Sequence, residues 1–260
     1  MRKLGKFLTK DLNDDGNVLW VDSLAMIPGS GGERGKFDII ILGYVLQEVS
    51  SAKGRLLVIE ALWSRLKDEG VIIVVEPGSP KGFRYINAFR DWVLAKDRKS
   101  ASIIGPCPHH GQCPMAKHPD LWCHFSQITQ KIPNTVFPKR PAEPDTVNEK
   151  YSYLIVQKNA ETPNTKYENI DQAKTAVEKS YFWPRIIRPA IGKHKHIILD
   201  LCTKDSGKTG QLQRRVIAKS HGIEGGYRMA KRMKWGDLWY FKHRVPNKFR
   251  KEGRFGKRLW

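Results

Sequence analysis

Three cysteines, Cys107, Cys113 and Cys123, fall within seventeen residues, with five and nine residues between them. They lie in a stretch rich in proline, glycine and histidine: Cys107-Pro108-His109-His110-Gly111-Gln112-Cys113-Pro114, then Leu121-Trp122-Cys123-His124-Phe125. A free cysteine is commonly a small core residue, but a loop of this composition offers little packing that would explain three of them. Thiolates at such intervals usually wrap a metal. The fourth cysteine, Cys202, stands 79 positions further on. Zinc knuckles favour gaps of two to four residues, whereas a [4Fe–4S] cube accepts four thiolates from a wider loop and a distant segment. Spacing alone leaves zinc and iron–sulfur even. His109, His110, His118 and His124 keep a mixed Cys/His zinc site open, although such histidines more often hydrogen-bond within the loop or orient the ligands.

The second chemistry is the binding of polyanions. The 260 residues carry 46 Lys and Arg against 26 Asp and Glu, a net charge of +20. The excess is concentrated: Ser206 to Trp260 holds sixteen Lys and Arg against three acids, Glu224, Asp237 and Glu252. Tyr227, Trp235, Trp239, Tyr240, Phe241, Phe249, Phe255 and Trp260 are threaded through the same region. Cations gain from releasing phosphate counterions, and aromatic rings stack on unpaired bases. A charge run is usually a solvated face, but this one-sided mixture points to RNA. The candidate contacts are Arg214, Arg215, Arg228, Lys231, Arg232 and Lys234, followed by Lys242, Arg244, Lys248, Arg250, Lys251, Arg254, Lys257 and Arg258. Lys242 to Trp260 lacks helical or strand periodicity and is expected to order only on its partner.

Other classes lose ground on composition. Four cysteines are too few for a disulfide scaffold, and no secretory apolar segment is present. The longest apolar runs, Ile39–Leu42 and Val71–Val75, are far too short for a membrane span. The opening Met1-Arg2-Lys3-Leu4-Gly5-Lys6 is basic, but Asp11, Asp14 and Asp15 follow at once, which makes it weak evidence for a presequence.

The elements that must position these residues read as α/β. Phe37-Asp38-Ile39-Ile40-Ile41-Leu42 has the continuous apolar pattern of a strand buried on both faces of a parallel sheet. A helix is expected from Ser50-Ser51, with Leu56, Ile59, Leu62, Trp63 and Leu66 on one face and Gly70 at its end. Val71–Glu76 reads as a second strand, Pro77–Pro80 as a loop, and Phe83 to Leu94 as a helix on which Ile86, Phe89, Arg90 and Val93 cluster. Tyr151–Val156 supplies a third strand. This order fits half of a doubly wound sheet. Downstream, the pattern predicts a hairpin of His196–Leu201 with Gln211–Lys219 through a turn at Asp205-Ser206-Gly207. It also predicts a basic helix over Gly225–Leu238 and a surface helix over Asp171–Lys179 within a polar insertion.

A nucleotide- or S-adenosylmethionine-binding site needs a glycine-rich turn between the first strand and a helix. Gly29-Ser30-Gly31-Gly32 instead precedes the Phe37 strand with no helix between them, and Asp22 matches a ribose-binding acid by type only. No catalytic residue and no S-adenosylmethionine-binding residue is therefore assigned.

These landmarks together resemble the methyltransferase-like protein 17 family, whose members associate with the mitochondrial small ribosomal subunit. The match runs from Phe37-Asp38-Ile39-Ile40-Ile41 through Leu46-Gln47-Glu48, Leu62-Trp63, Val75-Glu76-Pro77-Gly78, Gly82 and Arg90-Asp91. It continues through Cys107-Pro108-His109, Cys113-Pro114, Cys123-His124-Phe125-Ser126-Gln127, Trp183-Pro184-Arg185-Ile186, Leu201-Cys202 and Trp235-Gly236-Asp237-Leu238. The resemblance implies a partial class I methyltransferase-like, doubly wound α/β sheet with an inserted Cys-rich metal loop and a basic C-terminal extension. It implies a structural [4Fe–4S] cluster on Cys107, Cys113, Cys123 and Cys202, with zinc as the alternative. It also implies a non-catalytic role in forming or assembling the mitochondrial small subunit in the matrix, in contact with its rRNA and neighbouring ribosomal proteins; the short apolar runs add the expectation of no membrane partner. The expected organisation is an α/β domain over 1–104 continued by a strand at 151–157, a cluster loop over 105–145 and a polar insertion over 158–182. A hairpin and helix region over 183–240 and a basic tail over 241–260 complete it. Relatives carry a longer N-terminal segment, so the competing expectation is an S-adenosylmethionine-dependent rRNA methyltransferase completed by a separate N-terminal chain.

Overall fold

The computed structural model describes residues 35–96, 101–118, 120–131, 145–168, 170–204, 210–221 and 225–241, together with residues 7, 21, 26 and 27. The glycine cluster at 29–32, Asp22, the turn at 205–207 and the tail from Lys242 onward lie outside these residues. No helix among the described residues is long and apolar enough to cross a membrane.

Two sheets make up the frame. The first contains β1 (Phe37–Gly43), β2 (Leu66–Pro77), β3 (Ala101–Gly105), β4 (Phe125–Gln130) and β5 (Thr146–Lys158), in the order β1-β2-β5-β3, with β4 also on β5. β1 and β2 are parallel, as a strand–helix–strand unit requires, but β2 meets β5 antiparallel, so the sheet is mixed rather than parallel throughout. Helices α1 (Ala52–Ser64) and α2 (Pro80–Lys96) connect and cover it. Ser51 caps α1 by accepting the Gly54 N–H at 2.9 Å. Ile59, Leu62 and Trp63 of α1 and Ile86, Phe89 and Val93 of α2 pack on Ile72, Val74, Leu154 and Val156.

Several expectations need correction here. Leu56 lies outside the buried face of α1, at 44% exposure, and Gly70 sits inside β2 rather than ending the helix. β1 is not buried on both faces. Among the described residues it pairs only with β2, and Ile39 and Ile41 are 62% and 70% exposed while Leu42 points into the core.

The second sheet is smaller. Its long strands, β8 (His196–Lys204) and β9 (Gly210–Ala218), form the expected hairpin, and the short strands β6 (Arg185–Ile186) and β7 (Ile191–Lys193) share the other edge of β8. The basic helix, α5 (Gly226–Arg232), is shorter than the composition suggested. It stops because Trp235-Gly236-Asp237-Leu238 is needed as an extra strand-like segment on β6. Ile186 donates its N–H to Asp237 at 2.9 Å and receives that of Gly236 at 2.9 Å, and Trp239 donates to Pro184 at 2.8 Å. Gly236 adopts φ +98, and a Cβ there would stand 3.2 Å from the Phe125 ring, which accounts for glycine at this position. The polar insertion contains α3 (Pro163–Lys166), a short turn at Ile170–Gln172 and α4 (Ala176–Ser180) in place of one helix over 171–179. Thr175 and Glu178 form a reciprocal capping box that starts α4 at Ala176.

Candidate metal centre

The four cysteines come from four separate structural positions. Cys107 follows β3, Cys113 precedes the helical turn Pro114–Lys117, Cys123 precedes β4, and Cys202 lies on β8 between Arg185 of β6 and Leu212 of β9. All four line one cavity of about 30 Å³, together with Phe83, Ile86, Arg90, Met115, Phe125, Tyr153 and Ile187. The cavity therefore lies in the seam between the two sheets. Among the described residues, no three Cys, His, Asp or Glu side chains are drawn together closely enough to hold a metal ion as they stand.

The surroundings explain why the loop returns to β8. Gly210 donates its N–H to the Gln112 carbonyl at 3.0 Å, and any side chain at Gly210 would collide with the His109 ring. That close approach brings His109 Nε2 to 3.4 Å from Cys202 Sγ. Ser152 on β5 donates to the Cys123 carbonyl at 2.8 Å, and Trp122 Nε1 donates to the Gly78 carbonyl at 2.9 Å, which fix the second half of the loop. Arg185 donates from Nε to the Pro106 carbonyl at 2.9 Å and from Nη1 to the Gly236 carbonyl at 2.8 Å. One side chain thus ties β3, β6 and the Trp235–Leu238 segment together. Trp235 adds a ring contact to His124 at 4.6 Å and to Phe125 at 6.5 Å.

The electrostatics follow from burial. Burial first, and then the neighbouring sulfurs, push the thiols of Cys113, Cys123 and Cys202 upward, while Arg90 opposes this at Cys113 and Cys202 and Arg185 at Cys123 and Cys202. A set of thiols in this position ionises fully only against a strong positive charge, such as the one metal centres provide. His109 is pushed down to about 3, by burial and then by the Arg90 charge, so it is a neutral ring. The donor set suits a soft, thiophilic metal.

The remaining candidates divide by geometry. Arg228, Lys231, Arg232 and Lys234 are exposed on and just beyond α5. Arg214 instead makes a two-point pair with the buried Asp200, at 2.7 and 2.9 Å, and its charge is committed to that carboxylate. Arg215 is half-buried and donates to Gln213 at 3.1 Å. Lys242, Arg244, Lys248, Arg250, Lys251, Arg254, Lys257 and Arg258 lie outside the described residues. Arg90 and Arg185 are not among the residues that the sequence pattern nominated, since an isolated arginine carries no spacing signal. Both were flagged by the Arg90-Asp91 and Trp183-Pro184-Arg185-Ile186 landmarks, and Arg90 also by its place beside Ile86, Phe89 and Val93 on the helix, but neither as part of a metal centre.

Comparison with known proteins adds the family. The profile described as "Mitochondrial small ribosomal subunit Rsm22" matches residues 1–240. The Rsm22-cox11 tandem protein 2 of Schizosaccharomyces pombe is 29% identical over 238 aligned residues, covering 83% of this chain and 30% of that protein. The human ribosome assembly protein METTL17 is 30% identical over 210 residues, covering 78% of this chain and 39% of that protein. The ribosome assembly protein RSM22 of Saccharomyces cerevisiae is 23% identical, covering 70% and 40%. The chain thus spans 30% to 40% of the length of these relatives, all of which are mitochondrial proteins. With the profile matching residues 1–240, most of its length, this chain belongs to the mitochondrial Rsm22 family.

Proposed function

We propose that this chain is a non-catalytic protein of mitochondrial small-subunit assembly that binds rRNA and holds a structural [4Fe–4S] cluster on Cys107, Cys113, Cys123 and Cys202. The observation that carries this reading is the convergence of four thiols, three from one loop and one from β8, on a single cavity between the two sheets. Coordination by ligands so far apart in sequence would contribute directly to folding, because the site does not exist in the unfolded chain. The exposed Arg228, Lys231, Arg232 and Lys234 support an RNA-facing surface on the second sheet. The assembly role rests on the names of METTL17 and RSM22, which are ribosome assembly proteins.

The test is the iron, zinc and acid-labile sulfide content of anaerobically purified protein, with its visible spectrum. About four irons and four sulfides per chain with a broad brown absorbance support the cluster; one zinc and no sulfide replaces it. The second reading, an S-adenosylmethionine-dependent rRNA methyltransferase completed by a separate chain, is favoured by the apolar face that β1 leaves open at Ile39 and Ile41. Calorimetric titration with S-adenosylmethionine separates the two readings. That reading expects no heat from this chain alone and saturable heat once the completing chain is added; its absence in both cases ends it.

A further inference from the structure

A cation buried in apolar surroundings is costly unless an anion answers it. Arg90 presents that situation at the seam. It is 2% exposed and is the one formally charged side chain among the described residues lining the thiol cavity. Its carboxylate neighbour, Asp91, lies 3.4 Å from Nη1 but is half-exposed, so water weakens that pair. Nη2 is occupied by the carbonyl oxygens of His109 and Gly111, at 3.1 and 2.5 Å, which clamp the loop between Cys107 and Cys113. Nε is buried and has no acceptor in the protein. The other cation near the sulfurs, Arg185, spends Nε and Nη1 on the carbonyls of Pro106 and Gly236. The wall of the cavity therefore contains one buried positive charge, which hydrogen-bonds the Cys107 side chain and keeps Nε without an acceptor, and among the described residues lining it there is no carboxylate.

Resting on the cluster reading above, we infer that Arg90 is the counter-cation of the thiolate-bound centre and its N–H donor, so that it sets the reduction potential of that centre. A cube held by four thiolates is anionic, and one-electron reduction adds a further negative charge. A fixed guanidinium beside it favours the more negative state and raises the potential, as does a hydrogen bond to sulfur. The clamp on the His109 and Gly111 carbonyls holds the guanidinium against the loop that supplies two of the ligands. Arg90 is a positioning and tuning residue, not a ligand.

The experiment is an optically monitored redox titration of the anaerobically prepared, cluster-loaded full chain and two variants, with iron and sulfide measured on each. Arg90→Gln is expected to keep its iron and to shift the reduced-to-oxidised ratio about tenfold toward oxidised at a given potential, which is about 59 mV lower for one electron. Arg90→Lys keeps the charge but loses the fork, and is expected to shift less than half as far. Equal potentials for the wild-type chain and Arg90→Gln overturn the inference. If Arg90→Gln sheds its cluster, the Lys variant decides. A retained cluster at a lowered potential supports the assignment, whereas loss from both variants makes Arg90 a brace of the loop and overturns it. A wild-type chain without iron and sulfide fails at the cluster reading itself, before any variant is compared.

Discussion

The two sheets of this protein are held together by different means. The first is a conventional hydrophobic unit: Leu66, Ile72, Val74, Phe89, Val93, Leu154 and Val156 are fully buried in one cluster beneath two helices. Among the described residues, the second has a smaller fully buried core of Ile186, Ile197, Leu199, Leu201, Ile217, Ala230 and Trp239. It makes up the difference with specific polar pegs: the buried Asp200 against Arg214 and Arg188, the Arg185 bonds to Pro106 and Gly236, and the thiol seam. Small apolar cores fall short of the entropy cost of ordering the chain and typically need a metal or other staple. On the proposed cluster reading, the contrast places the effect of metal loss first in the smaller sheet, since the larger one has the bigger apolar core.

On the proposed cluster reading, the largest effect should come from Cys202→Ser, which removes the one thiol that the described residues of the second sheet bring to the cavity. The expected outcome is loss of all bound metal and earlier hydrogen exchange across β8 and β9, with β2 and β5 much less affected. Uniform loss of protection across both sheets breaks the comparison. Next come two matched aromatic truncations, Trp239→Ala and Phe89→Ala, each removing a fully buried ring and each expected to cost about 3–5 kcal/mol. Thermal melts check the cost, and metal content sharpens the contrast: Trp239→Ala should lower occupancy, Phe89→Ala should not.

An acid-dependent effect of intermediate size follows from His109. Its folded value, about 3, lies below its ordinary 6.5, so the unfolded chain binds the proton more readily between those values. The corresponding stability is present above pH 6.5 and is lost as the pH falls toward 3, which denaturant titrations across that window measure. His109→Asn should flatten the slope. The smallest effect on stability, within about 0.5 kcal/mol, is expected from replacing Arg228, Lys231 and Arg232 of α5 by alanine. The same variant should weaken RNA binding and lower its salt dependence by about 0.7 for each lost contact with single-stranded RNA. An unchanged salt slope removes α5 from the RNA surface.

How much of this was legible in the sequence depends on what kind of signal each element leaves. β2, α2 and the β8–β9 hairpin announce themselves because their burial is periodic. The three clustered cysteines and the distant fourth could be grouped from type and spacing, and all four line one cavity. β3 and β4 were not. Ala101–Gly105 is short and includes Ser102, and Phe125–Gln130 is largely polar and solvent-facing, so both are strands because β5 offers them an edge. The helix over 225–238 was overread for the converse reason. Its composition is helical, but β6 and Phe125 claim its second half through backbone bonds that no local pattern encodes. The exposed face of β1 was misread because a run of isoleucines looks the same whether or not a second layer covers it. Arg90 illustrates the limit most directly: its meaning lies in a loop nineteen residues away that it clamps.

The separation of the four cysteines along the chain also has a consequence in time. During synthesis, Cys107, Cys113 and Cys123 emerge together, whereas Cys202 follows 79 residues later. At about 5–20 residues per second, that leaves an interval of roughly 4–16 s in which a nascent chain carries three thiols and no fourth. On the proposed reading, a closed four-cysteine centre would therefore mark a chain translated past β8, with its loop and β8 brought to one cavity.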